Sequence, residues 1–325
     1  MTRTDLRQTA ALICVGAGAF LLTLVPLLRV YVYAQVIRTP LEQSSVVRMY
    51  ARTATFFDPA TMRLRNRPVV LTRVLTGDAK AGNADRAVWT EYSSLTTLEG
   101  ARIDYAERRV AFDRRTGAIV NCCGEYVDDD TTVHQSGLAF RWPFGAEKRA
   151  YEYFDPELRR AVPIAYDGTE KVAGVLTYRY KQQTPPAELE RLATPIPAKV
   201  LGLPGKRSYQ VSRWGRTTRT IWVEPVSGVP VKAEEDIRQS FRTPDGVDRL
   251  VALRADLRTP EEDVAVSVGE ASAFSSWSTW IRVALPIAGG IAGLGLIGAG
   301  IWLRRRSAPA KDQQEVPRHD LANSG

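Results

Sequence analysis

One loop of this chain concentrates the residue types that carry chemistry. The stretch NCCGEYVDDDTTVHQSGL, residues 121–138, contains two adjacent cysteines, three adjacent aspartates and His134. Thiolates act as nucleophiles or redox groups, carboxylates bind hard cations, and imidazole serves as a general base. Each of these chemistries also requires a particular spacing of its residues, and the spacing decides between them.

The two cysteines of this loop predict a stiff turn better than a redox centre. Cys122 and Cys123 are neighbours, so their Cα atoms lie only about 3.8 Å apart, closer than in ordinary disulfides. A bond between them would be strained and easily reduced. We predict this vicinal disulfide, with two free thiols or bonds to another chain as the alternatives. The C-x-x-C spacing of a catalytic dithiol is absent, and the remaining cysteine, Cys14, lies in an apolar segment.

The other polar residues of the loop lack the spacing of a metal or catalytic site. Two adjacent cysteines cannot easily both ligate one zinc ion, and Asp128, Asp129 and Asp130 lack the alternating pattern of a calcium loop. His134 has Ser136 nearby, but no G-x-S-x-G elbow occurs in the sequence. We therefore predict a solvated acidic loop with a structural histidine, no catalytic residue, no metal and no cofactor.

Two apolar segments near the ends of the chain have the length of transmembrane helices. Residues 10–28 and 283–303 carry no charged side chain, and about 20 apolar residues span the hydrocarbon of a bilayer. The first segment has an alternative as a signal peptide, because the small residues before Ala34 would suit cleavage. We predict two membrane helices, with the bilayer itself as a partner.

Arginines next to these segments predict their orientation. Arg3 and Arg7 precede the first segment and Arg304–Arg306 follow the second, and basic flanks stay in the cytoplasm. The prediction is a two-pass protein of the cytoplasmic (inner) membrane, with residues 1–9 and 304–325 cytoplasmic and residues 29–282 outside. The polar tail from Ser307 predicts disorder.

The exterior portion has the pattern of a β-rich domain. Short runs rich in valine, threonine and aromatic residues alternate with glycine, proline or aspartate; they are 68–74, 87–95, 110–120, 172–180, 218–223 and 229–233. Helix signals are fewer. Thr259 with Pro260 predicts a helix over about 260–275, and Thr184-Pro185-Pro186 predicts a short one over the following AELERL.

Two similar turns suggest an internal repeat of this β-rich pattern. VAFDRRTGAIV and IWVEPVSGVPV both place an acid four residues before a glycine, between two apolar runs. Such a loop suits a hairpin in which the glycine adopts positive φ. We predict antiparallel meanders near 68–122 and 172–255, either duplicated modules or two ordinary hairpins. The predicted fold class is a membrane-anchored α+β protein whose β-rich domain lies between the two helices.

The second apolar segment contains a glycine pattern that favours helix packing. Gly289 and Gly293 form a G-x-x-x-G pair, which lets helix backbones approach closely in lipid. Gly16 and Ala19 offer a matching surface on the first segment. Contact between the two helices and self-association into a homo-oligomer are both consistent with this pattern.

Composition excludes one class of partner. The net charge is +8 over 325 residues, but the sequence has no basic helix and no basic motif with interleaved aromatic residues. We therefore expect no nucleic-acid partner.

Residues 111–155 carry a family resemblance. FDRRTGAIVNCCGE and VHQSGLAFRWPFGAEKRAYEYFD closely resemble actinobacterial membrane proteins of the porin PorA family, and RTIWVEPVSGVPV is similar to a later strand pair. The resemblance implies a protein of the cell envelope, and the family name implies a channel. It implies no catalytic residues. A lipid-facing barrel needs strands of about 9–11 residues with an apolar outer side, whereas the predicted strands are short and charged.

The sequence favours a non-enzymatic binding or scaffolding module in the cell envelope, with a lipid or glycolipid as its candidate ligand. Six aromatic residues are candidates to line such a site: Trp89, Trp142, Phe144, Tyr151, Tyr153 and Phe154. The first alternative is a porin or channel component. The second is an extracytoplasmic thiol oxidoreductase that works through Cys122 and Cys123.

Overall fold

The computed structural model describes residues 3–27, 31 and 37–306. The chain divides into a helical unit, Met1–Val36 with Ser278–Gly325, and a β-rich unit, Ile37–Trp277. Cleavage after Ala34 and disorder from Ser307 are predictions that lie outside the described residues. The helical unit is built on α1 (Arg3–Pro26), a π-helical turn (Trp280–Ala284) and α3 (Leu285–Arg306). Helix α2 (Glu261–Thr279) directly precedes the π-helical turn.

The strands make up most of the β-rich unit. They are β1 (Ser44–Asp58), β2 (Arg63–Gly77), β3 (Arg86–Thr97), β4 (Arg102–Asp113), β5 (Ile119–Val120), β6 (Tyr126–Val127), β7 (Tyr151–Asp155), β8 (Arg160–Val172), β9 (Val175–Gln183), β10 (Ala187–Arg191), β11 (Ile196–Pro197), β12 (Ser208–Tyr209), β13 (Ser212–Glu224), β14 (Val229–Arg242) and β15 (Asp248–Arg258).

Thirteen of these strands form one curled antiparallel sheet. Its order is β5-β4-β3-β2-β1-β15-β14-β13-β9-β8-β7, while β10 also pairs with β13, β6 pairs with β4, and β11 and β12 form a separate pair. Neighbours in the sheet are mostly neighbours in sequence, as in a meander. The predicted fold class, a β-rich antiparallel domain between two apolar helices that could span a membrane, is confirmed.

A short segment joins the two edges of the sheet. The amide of Leu138 donates to the carbonyl of Glu152 in β7 (2.7 Å), and the amide of Ile119 in β5 donates to the carbonyl of Gly137 (2.8 Å). Leu138 forms a bridge with Ala118 on one side and with Tyr153 on the other. Because the segment bonds to both edges, the sheet closes into a ring at this end.

The two similar turns hold this closing segment. In each turn the acidic side chain accepts backbone N–H bonds, and the glycine has a φ of 71°, at Gly117 and Gly228 respectively. The amide of Trp142 donates to the carbonyl of Gly228 (2.9 Å). A Cβ on Gly228 would lie 2.2 Å from the carbonyl oxygen of Trp142, so only glycine fits between the turn and the segment.

A buried arginine also holds the closing segment in place. We call the junction between this segment and the rest of the sheet the seam. The Arg141 guanidinium donates to Oγ1 of Thr39 (2.7 Å) and to the carbonyl of Ser227, and it lies over the ring of Phe144 (3.9 Å). Burial lowers the pKa of Arg141 to about 10. Its partners are neutral oxygens and a ring, so it links the chain entering β1 to the β13–β14 turn.

The structure corrects three details of the sequence prediction. Strands described as short are long at the centre of the sheet, with 15 residues in β1 and in β2. The run 172–180 is not one strand, because the chain turns at Ala173 and Gly174 between β8 and β9. The short helix expected after Pro186 is strand β10, because pairing with β13 outweighs helix propensity over only five residues.

Candidate functional site

Alternation along the strands sends charged side chains into the interior of the ring. On β2 the buried Val69 and Leu71 share a face with Arg73, and on β3 the buried Trp89 and Leu95 share a face with Glu91. Successive side chains of a strand point to opposite faces, so these charges face the core. The interior is therefore not a purely apolar core.

Six of these inward side chains form one chain of ion pairs. We call it the ion-pair bridge, and it consists in order of Arg108, Glu91, Arg73, Glu235, Arg219 and Asp155. Positive and negative groups alternate, so the bridge carries no net charge. Its members come from β4, β3, β2, β14, β13 and the end of β7.

The centre of the bridge has the strongest contacts. Arg73 donates both terminal nitrogens to the Glu235 carboxylate (2.9 and 3.0 Å), and Arg219 donates through Nε to the same carboxylate (2.9 Å). At the ends, Arg108 Nε lies 2.5 Å from Glu91, and Arg219 lies 3.4 Å from Asp155. Paired forks of this kind give the tightest arginine–carboxylate contacts.

The bridge crosses the interior of the ring. Strands β2 and β14 are not neighbours in the sheet, because β1 and β15 lie between them. The contact between Arg73 and Glu235 therefore connects separate parts of the wall.

Burial and mutual attraction set the ionisation of the bridge. Burial raises the pKa of Glu235, but the charges of Arg219 and Arg73 outweigh it and lower the pKa to about 2. Burial also raises the pKa of Glu91, but the charges of Arg108 and Arg73 outweigh it and hold this pKa below its usual value. Glu235 and Glu91 therefore stay ionised at neutral pH and keep their contacts with the arginines.

A cavity of about 420 Å³ adjoins the bridge. Its wall combines apolar groups such as Leu253 with charged groups such as Glu157 and Arg213. Glu157 accepts a hydrogen bond from Gln239 (2.8 Å). Glu157 is an exposed residue, yet the protein around it and, to a smaller extent, the nearby Asp155 charge raise its pKa to about 7. The cavity wall is thus a mixture of charged and apolar groups.

The aromatic residues predicted to line a lipid site lie elsewhere. None of the six borders the cavity. Trp142 is fully buried and packs on Tyr153 (5.5 Å between ring centroids) and on Tyr180 (5.0 Å), and Trp89 packs edge-on against Phe112 (5.0 Å). These side chains form the packed core beside the seam.

The loop of residues 121–138 is organised around one carboxylate. Glu125 accepts hydrogen bonds from the side chain of Asn121 (3.0 and 3.2 Å) and lies 3.2 Å from Nδ1 of His134. The structure joins the sulfur atoms of Cys122 and Cys123, and Cys123 adopts a positive φ of 65°. We call these two residues the vicinal cysteine pair.

Two of the three aspartates of this loop bind an arginine. Asp130 and Asp128 lie 2.9 Å and 3.7 Å from Arg159. The His134 side chain is 80% exposed. Among the residues that the structure describes, no group of three or more metal-ligating side chains is suitably placed to hold an ion.

The predicted glycine pair lies where the two helices of the helical unit meet. A Cβ on Gly293 would lie 2.9 Å from the carbonyl oxygen of Gly18, and one on Gly289 would lie 3.5 Å from Val25. The partner on α1 is Gly18 and not Gly16, whose surroundings are open to at least 4 Å. Gly300, which packs against Ala11 and Val15, extends the contact.

Sequence reasoning missed the ion-pair bridge, although a signal was present. Arg73 and Glu91 occupy the same parity as the buried apolar residues of their strands, where an outward charge is impossible. From the sequence we predict only that the strands carry charges, and we do not predict that these charges face inward. Which charge meets which could not follow, because the pairs join residues as distant as 73 and 235.

Comparison with known proteins assigns the family. The family model described as Porin PorA matches residues 10–302. The chain belongs to the porin PorA family. The resemblance noted in residues 111–155 is thereby confirmed.

Two curated relatives carry the same name. The Porin PorA of Corynebacterium amycolatum is 28% identical over 147 residues, covering 38% of this chain and 38% of the relative. The Porin PorA of Corynebacterium resistens is 27% identical over 160 residues, covering 35% of this chain and 39% of the relative. This PorA-family chain therefore spans about two fifths of the length of the curated relatives that it matches.

Proposed function

We propose that this protein is a component of a channel for hydrophilic solutes in the cell envelope. The observation that carries the proposal is a cavity with charged groups in its wall, inside a curled sheet that closes into a ring at one end, in a chain of the porin PorA family. The family membership favours this function over the binding or scaffolding role that the sequence suggested first. It also suggests that the protein is not an enzyme.

The strands themselves are unsuited to contact lipid. The outer face of β13, β14 and β15 carries Arg216, Asp236, Arg238, Arg254 and Asp256. A charged side chain facing hydrocarbon costs roughly 2–4 kcal/mol in a barrel. We therefore propose that the β-rich unit lies in the aqueous exterior of the cytoplasmic membrane, and that α1 and α3 cross the bilayer with both termini in the cytoplasm.

A path across the bilayer then requires assembly of helix pairs. Helix α3 uses Gly289 and Gly293 against α1, while a Cβ on Gly290, Gly295 or Gly298 would meet no atom within 4 Å among the described residues. These open glycines leave a surface for a second copy of the chain, so a homo-oligomer through the C-terminal helix remains our prediction. In such an assembly the ion-pair bridge would be the barrier within each β-rich unit.

Conductance of the reconstituted protein tests the proposal. The wild-type full chain and the double variant Arg73→Gln/Glu235→Gln are incorporated into separate planar lipid bilayers. The variant removes the two central members of the ion-pair bridge, and the other four members still form two ion pairs. We expect discrete channels that open more often or conduct more in the variant. The control Arg238→Gln/Asp256→Asn removes an exposed pair at 3.2 Å and should behave like the wild type. Current that never exceeds the protein-free baseline, in any of the three proteins, would reject the channel.

The lipid or glycolipid ligand stays a separate prediction. The cavity wall carries buried charges, and an acyl chain placed there would have to displace their hydration. Native mass spectrometry of protein gently purified from membranes decides the matter: a clean mass without adducts opposes a bound lipid. The thiol oxidoreductase alternative would require altered behaviour when both members of the vicinal cysteine pair are changed to serine.

A further inference from the structure

Three arginines lie side by side on the outer face of the sheet. The register pairs Arg216 of β13 with Arg238 of β14, and Arg238 with Arg254 of β15. We call these residues the arginine row. Directly opposed residues in antiparallel strands have Cβ atoms about 5 Å apart, and like charges at that separation destabilise a sheet. A row of this kind therefore weakens the fold unless negative groups compensate it.

Compensation reaches only the middle of the row. Arg238 lies 2.7 Å from Asp236 and 3.2 Å from Asp256. Arg216 and Arg254 are exposed, and within the described part of the chain neither has an ion pair or a side-chain hydrogen bond. Two unpaired guanidinium groups thus flank a paired one.

The arginine row borders a cleft of about 520 Å³ on the same face. Arg242 and Arg249 also line this cleft, and its wall contains a single carboxylate, Asp248, which pairs with Arg242 at 2.8 Å. Arg242 lies over the ring of Trp214 (4.1 Å), so the indole forms a rigid side of the cleft. Arg249 pairs with Asp245 at 2.5 Å, so three of the five arginines around the cleft have carboxylate partners. In the described part of the chain, Arg216 and Arg254 have none.

We propose that this cleft binds a phosphate-bearing anion, which Arg216 and Arg254 grip from its two sides. The flat fork of a guanidinium matches a phosphate group with two parallel hydrogen bonds. The two arginines are two strand spacings apart, about 10 Å between their Cα atoms, and the paired Arg238 lies between them, so a phosphate that lies over the middle of the row faces an unpaired guanidinium on each side. Binding would remove the repulsion along the row. The phosphate comes either from a free phosphate compound or from the headgroup of an anionic lipid.

Calorimetric titration of the full chain in phosphatidylcholine nanodiscs tests this proposal. The probes are inorganic pyrophosphate, dihexanoyl phosphatidylglycerol and, as a neutral comparison, dihexanoyl phosphatidylcholine. The test variant is Arg216→Gln/Arg254→Gln. The control variant, Arg48→Gln/Arg160→Gln, loses the same charge from exposed arginines on β1 and β8.

We expect the test variant to bind about 100-fold more weakly than the wild type, since each charge-assisted contact contributes about tenfold. The control variant should stay within about twofold, because distant exposed charges are screened. Binding of both anionic probes identifies the phosphate group itself as the ligand. Binding of phosphatidylglycerol alone indicates a lipid headgroup, and binding of pyrophosphate alone indicates a free phosphate compound. The absence of binding to either probe, or equal losses in the two variants, overturns the proposal. Conductance does not enter this test, so it is independent of the proposed channel.

Discussion

The ion-pair bridge makes a quantitative prediction about Glu235. The substitution Glu235→Gln keeps the shape of the side chain but removes the charge that holds Arg73 and Arg219. The pKa of Glu235 falls from its ordinary 4.5 to about 2 in the folded protein, which corresponds to roughly 3 kcal/mol of stability at neutral pH. Two buried arginines left without that charge raise the cost toward about 3–5 kcal/mol.

The pH dependence follows from the same shift. A carboxyl group with a depressed folded pKa stabilises the protein fully above its unfolded value, and that stability disappears as the pH falls through the folded value. The gap in stability between wild type and Glu235→Gln should therefore be constant from pH 7 to about 5. It should shrink as the pH falls from about 4.5 to about 2.

Thermal unfolding of the full chain in detergent, followed by tryptophan fluorescence, measures this gap. A loss of 3 kcal/mol lowers Tm by about 6–12 °C for a unit of this size. The control Asp236→Asn changes the adjacent residue on the outer face, whose side chain is 42% exposed, and should shift Tm by less than about 3 °C. A Tm for Glu235→Gln close to that of the control at pH 7, or a gap of unchanged size near pH 2, would refute the reasoning.

Three further predictions concern the seam, the helices and the loop. Gly228→Ala should destabilise the β-rich unit by at least about 3 kcal/mol, because its Cβ would clash with a carbonyl oxygen at 2.2 Å. The control Gly246→Ala, with φ 79° and open surroundings, should cost only about 1–2 kcal/mol. Equal losses of Tm in the two variants would contradict the close packing at Gly228. Gly18→Val should separate α1 from α3, because a Cβ there would lie 2.6 Å from a carbonyl oxygen. A fluorescence energy-transfer pair on the two helices should report that separation, while Gly16→Val leaves the signal unchanged. Alkylation followed by mass spectrometry should find the vicinal cysteine pair unlabelled until a reductant is added, and labelling without reductant would exclude the bond.

Local patterns in the sequence predicted those parts of the fold that depend on local geometry. The turns at Gly117 and Gly228 were predictable because each glycine must adopt positive φ after an acidic residue. Strands β2 and β3 were visible because they are rich in valine, threonine and aromatic residues. Strand β8 was missed because Pro163 and Gly168 interrupt its pattern. Gly168, with φ 136°, lies at a bulge of the β8–β9 pair.

Features that depend on distant residues could not be predicted in the same way. The closing segment is defined by its bonds to both edges of the sheet, and no sequence pattern near Leu138 predicts that it pairs with Ala118 and Tyr153. On the helices, glycine spacing predicted that α3 packs closely, but the choice of Gly18 over Gly16 depends on how the two helices are rotated. The arginine row depends likewise on register across three strands.

The order of the strands also imposes an order on folding. Strand β1 pairs with β15, and Phe56 meets Leu253 across that pair, so the first long strand to emerge during synthesis waits for the last one. Until β15 has been synthesised, the free edge of β1 exposes unpaired peptide groups. An exposed edge of this kind can pair with a strand of another chain and so promotes aggregation. Contacts of such long range also slow folding. We therefore expect the nascent chain to need protection from self-association until its last hairpin, β14–β15, has been synthesised.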